Sequence, residues 1–90
     1  MNRTIITVVG KDTVGIIAKV CTYLADHSIN ILDISQTIVQ DFFTMMMVVD
    51  MKGADKPYEE IQQDLDKVGE AIGVTIKCQK EEIFDMMHRI

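Results

Sequence analysis

The stretch Val8-Val9-Gly10-Lys11-Asp12-Thr13-Val14-Gly15-Ile16-Ile17 constrains this chain more than any other. A β-branched run, Ile5, Ile6, Val8 and Val9, reads as a strand over 3–9 and stops at Gly10. Three polar residues follow, and apolar residues at helical spacing begin near Val14. A corner of this kind leaves unpaired backbone N–H groups at a helix start. The helix dipole makes that place favourable for a small anionic or zwitterionic ligand. A plainer reading stands beside it: Gly10 turns the chain, and Asp12 or Thr13 caps the helix.

Beyond the corner the pattern predicts a helix over 14–27. Ile16, Ile17, Val20, Cys21 and Leu24 form its buried stripe, with Lys19, Thr22 and Asp26 on the other side. A second strand runs over 29–39, but its alternation breaks around Asp33, and a bulge at Leu32–Asp33 would restore it and turn the acid to solvent. Gln40-Asp41 is a short polar turn, leading into a third strand over 42–51. Phe43, Met45, Met47, Val49 and Met51 share one face of that strand and are expected to be core. Its other face is too apolar to stand open, so partial cover is expected there. Pro57 opens a second helix carrying Tyr58, Ile61, Leu65, Val68 and Ile72, and Gly73 ends it. Val74, Ile76 and Cys78 alternate with polar residues in a half-buried fourth strand. The last ten residues place Ile83, Phe84, Met87 and Ile90 on one face of a short amphipathic helix, about 81–90.

Ninety residues without a linker or low-complexity segment make a single domain over 1–90, with its core in 3–80. Nearly half the residues, 48%, are hydrophobic, a surplus that a small domain has difficulty burying alone and that suits a second copy. The formal charge of −5 argues against nucleic acid, whose phosphates require a basic footprint, and against anionic membrane surfaces. No apolar run approaches the roughly 20 residues that span a bilayer, and the start of the chain enters a strand without a signal pattern. Cys21 and Cys78 stand alone in apolar segments and read as free thiols of a cytoplasmic protein. His27 and His88 lack nearby carboxylate or cysteine company, so no metal is expected, although a site using both cysteines would follow if the fold brought them together. Neither serine nor either cysteine has a base marked beside it, so the chain is expected not to be an enzyme and to need no cofactor.

Strand, helix, strand, strand, helix, strand is the order of an α+β, ferredoxin-like βαββαβ sandwich: a four-stranded antiparallel sheet with two helices on one face. That fold serves many functions, so the residues must choose. The first strand has no aromatic to stack RNA bases. The first loop has neither the paired cysteines of a metal chaperone nor the arginine of an acylphosphatase-like enzyme. Residues 9–17 do resemble the first-loop pattern of the ACT domain family, and Ile29-Asn30-Ile31-Leu32-Asp33-Ile34 resembles its second hallmark at the start of the second strand. The chain is similar over about 3–80 to free-standing bacterial members and to the repeats of the glycine cleavage repressor.

This resemblance implies a homodimeric sensor that binds an amino acid or similar metabolite between two copies and regulates an associated enzyme. The family's contact positions fall on Gly10, Lys11, Asp12, Thr13, Val14 and Gly15 of one copy and on Asn30, Ile31 and Leu32 of its neighbour. Asp12 can accept from an α-ammonium group or simply cap the helix, and Asn30 can both donate and accept or satisfy local backbone groups. Val14 stands where many amino-acid-binding members carry proline, and Gly10 where they carry a more polar side chain. The alternative is a ligand-free interaction module that uses the same surfaces.

Overall fold

A computed structural model describes residues 3–11 and 15–80. Four strands, β1 (Arg3–Lys11), β2 (Asn30–Val39), β3 (Phe42–Asp50) and β4 (Val74–Lys80), form one sheet in the order β2-β3-β1-β4. Every neighbouring pair is antiparallel. Helices α1 (Ile16–Asp26) and α2 (Tyr58–Ile72) fill the two crossovers. Their buried residues, Ile16, Val20 and Leu24 from α1 with Ile61 and Leu65 from α2, join Ile6, Val8, Met45, Met47, Val49 and Ile76 in a single cluster. Both helices therefore lie on the same face of the sheet, the ferredoxin-like arrangement that the element order predicts.

Alternation explains the core. On β3, Phe43, Met45, Met47 and Val49 point to the helices and are buried, and Met51 beyond the strand packs against them in part. The register between β2 and β3 shifts between Ile31 and Asp33, which is the expected bulge. It turns Asp33 to solvent, where its Oδ1 accepts the Ile34 N–H at 2.9 Å. Gln40 and Asp41 both have positive φ, 49° and 71°, the signature of a type I′ hairpin turn made here without glycine. The end of α1 is a Schellman motif: the Ile29 N–H bonds the Leu24 carbonyl at 2.9 Å, with Ser28 left-handed at φ 59°. Gly73, at φ 79°, ends α2 as expected.

Three expectations change at the opening corner. β1 runs on through Gly10 to Lys11, so Gly10 is a strand residue and not a turn. A Cβ on Gly10 would lie 2.7 Å from Val74 Cγ1, so close packing of the β4 start is what requires glycine. α1 begins at Ile16, and its N-cap is Gly15 at φ 92°; Asp12 and Thr13, expected to cap it, lie outside the described residues. The buried stripe is also narrower than its periodicity: Ile17 is exposed and Cys21 half-buried, because α1 turns Ile16, Val20 and Leu24 squarely onto the sheet.

Candidate functional site

Of the nine residues assigned to a site from sequence, Asp12, Thr13 and Val14 lie outside the described residues. The other six fall in two groups at opposite ends of the sheet. Gly10 and Lys11 close β1, level with Phe43 and Phe42 next to the β2–β3 turn. Gly15 is the cap of α1, a glycine with a left-handed backbone, and among the described residues nothing lies within 4 Å of where a Cβ would stand. Asn30 begins β2 at the other end, opposite Asp50, which is in turn opposite Arg3. Ile31 is half-buried against the core, and Leu32 is the exposed residue of the bulge. Eight residue steps separate the rows of Arg3 and Lys11, roughly 26 Å along a strand. A single copy does not bring the two groups together.

The two edges of the sheet are built differently. On β4, the Gln62 side chain from α2 accepts the Cys78 N–H at 2.7 Å and donates to the Ile76 carbonyl at 3.1 Å. It also donates to Asp66 at 2.8 Å, so one amide occupies edge groups that would otherwise offer themselves to another strand. Lys77 and Lys80 add charge to the same strand. β2 has neither lysine nor proline, and Ile34 and Ile38, on its helix-side face, are 43% and 57% exposed because the helix layer stops short of them. Leu32, Val39 and Phe42 extend this apolar rim to the hairpin tip.

Sequence reasoning missed Gln62, and it missed a polar knot at the far end of α1. The Tyr23 hydroxyl donates to Asp64 Oδ2 at 2.6 Å, Lys56 Nζ donates to the same oxygen at 2.8 Å, and His27 Nδ1 lies 2.8 Å from Asp55 Oδ1. The Tyr23 and His27 rings stack at a tilt, with centroids 4.4 Å apart. Bonds from Lys56 and then Tyr23 hold the Asp64 carboxyl below the usual carboxylate range. Burial, reinforced by the Asp64 bond, pushes the Tyr23 hydroxyl well above its usual value. The knot ties the end of α1 to α2 across 41 residues of sequence, a separation that leaves no local signal. Burial also pushes the thiol of half-buried Cys78 up to about 12, which disfavours the reactive thiolate. Among the described residues no group of three His, Cys, Asp or Glu side chains is arranged to hold a metal ion.

A family model for the ACT domain matches residues 2–79. The chain belongs to the ACT domain family. A UPF0237 protein of Bifidobacterium longum is 60% identical over 90 residues, covering the whole of both chains. The solved structure of an ACT domain protein from Streptococcus pneumoniae is 38% identical and superposes with a TM-score of 0.81, covering 93% of this chain and 94% of that one. The regulatory subunit of aspartate kinase from Thermus thermophilus is 25% identical with a TM-score of 0.67, over 87% of this chain and 50% of that one. Among the described residues, the stretches that resemble the family's two motifs begin at the end of β1 and at the start of β2. No helix among its described residues is long and apolar enough to cross a membrane.

Proposed function

We propose that this ACT domain is a non-catalytic regulatory module that works as a homodimer, binding an amino acid or similar small metabolite between copies and modulating a partner protein. One observation carries the reading: the two groups of site residues lie at opposite ends of the sheet, and the edge between them is the unguarded one. β2 runs over Asn30–Val39, so antiparallel pairing with a second β2 about a two-fold axis near its middle sets the partner's Asn30 level with Val39. Val39 pairs with Phe42, and Phe42 with Lys11. Dimerisation through this edge therefore carries the second group to the row of the first. Backbone N–H groups at the start of α1 suit a carboxylate, and Asn30 suits either end of a zwitterion. The likeness to a regulatory subunit of aspartate kinase supports a regulatory role.

Thermal-shift titration of the full chain with each amino acid tests the ligand. A ligand at one hundred times its Kd stabilises by about 2.7 kcal/mol. Asn30→Ala is expected to abolish the shift while leaving sedimentation unchanged. A flat response to all amino acids and nucleotides would instead favour a ligand-free interaction module, for which the exposed rim of Ile38, Val39 and Phe42 supplies a contact surface.

A further inference from the structure

The bulge in β2 decides which polar groups share a face. Residues three apart on a regular strand face opposite sides of the sheet. Asn30 pairs with Asp50 and Asp33 with Val48, and these partners alternate with the buried Met47 and Val49, so they lie on the face turned away from the helices. The extra residue, Leu32, therefore sets Asn30 and Asp33 next to each other on that helix-free face, where both are exposed.

The other end of the same face is apolar. Lys11, Phe42 and Val39 form one row across β1, β3 and β2, and Val9 stands in the next row. Phe42 is 57% exposed, Val39 59% and Val9 46%. Apolar groups left open together mark a contact surface. A dimer register that allows for the bulge joins the two ends. With Leu32 left out, as it is against β3, two β2 strands paired about Ser35 set Asn30 opposite the partner's Val39, Ile31 opposite the partner's Ile38, and Asp33 opposite the partner's Thr37. Each pair joins residues of one face, as antiparallel pairing requires, and a slip of one residue would set every pair at odds.

We propose that Asp33 is a ligand-binding residue, and that the ligand is an amino acid with an apolar side chain lying across this row. The inference rests on the homodimeric, ligand-binding reading. The partner's Asn30 and Asp33 accept from the α-ammonium group, Lys11 faces the carboxylate, and Phe42, Val39 and Val9 take the side chain. Lys11 and the partner's Asn30 stand three strand spacings apart, roughly 14 Å, which is room for a small molecule between two reaching side chains. Asp33 Oδ1 accepts the Ile34 N–H, so the ligand takes the other carboxylate oxygen.

Thermal-shift titration of the full chain with leucine and phenylalanine, set against serine and aspartate, tests this alongside sedimentation. Leucine or phenylalanine is expected to stabilise the dimer, and serine and aspartate are not. Asp33→Asn keeps the oxygen that accepts the Ile34 N–H. It should leave the dimer intact and weaken binding of the apolar amino acid about tenfold. The 2-oxo acid of leucine, which lacks the ammonium group, should bind parent and variant alike. A response confined to serine or aspartate, or a Kd that Asp33→Asn leaves unchanged, overturns the inference and leaves the ligand reading standing. A chain that responds to no amino acid overturns both.

Discussion

At the residue scale, two positions show how far a side chain's local logic extends. Gly10 reads in sequence as the end of a strand, yet what demands glycine there is Val74, 64 positions away, whose Cα would lie 3.0 Å from a new Cβ. Gly10→Ala is expected to lower stability by about 1–3 kcal/mol in urea unfolding, because backbone as well as side chain must shift. Asp64 offers a test with a sign. Its carboxyl is held below its ordinary value by Lys56 and Tyr23, so the stability it confers is present above the unfolded carboxylate value, about 4, and fades as pH falls through the folded one. Asp64→Asn should therefore melt below the parent at pH 7, and the gap between the two melting temperatures should shrink toward pH 3. A gap independent of pH would mean that the carboxylate's charge contributes nothing.

At the element scale, the contrast between β4 and β2 decides what this sheet can join. Gln62 makes α2 the guard of the β4 edge, and Gln62→Leu removes the partners of the half-buried Cys78 N–H and Ile76 carbonyl. A loss of about 1–3 kcal/mol is expected in chemical denaturation. Gln62→Glu, which keeps an acceptor for Cys78 but loses the donor, should fall between the parent and the leucine variant. The helix pattern of residues 58–72 showed that this element exists and which face is buried, but not that a polar side chain beside that face reaches over a strand edge. That contact depends on how α2 sits over β4, which periodicity does not encode.

At the scale of the whole molecule, the separation of the site's two halves makes the oligomer the functional unit in the proposed reading. Ile34 and Ile38 are exposed, so a charge at either position spares the monomer fold. A chain carrying both Ile34→Lys and Ile38→Lys is expected to keep its circular dichroism and to sediment as a monomer where the parent sediments as a dimer, because the pairing brings the two position-34 lysines together near the two-fold axis and adds a charge to each arm of the interface. It should also lose any amino-acid thermal shift. A dimer that survives both lysines would place the interface away from β2.

Element order, the bulge before Asp33, the Met-rich core face of β3 and the glycine that ends α2 were all legible in the linear chain. Each rests on local periodicity or on backbone preferences that act over a few residues. Other features needed the folded molecule. The reason for glycine at position 10, the guarding of one edge by Gln62, the knot of Tyr23, Lys56 and Asp64, and the distance between Lys11 and Asn30 all depend on residues remote in sequence. The sequence by itself determined a ferredoxin-like ACT domain and the order of its elements along the chain. Only the tertiary structure decided that Gly10 and Lys11 lie at the opposite end of the sheet from Asn30, because strand register, a long-range property, sets the level of each residue across it.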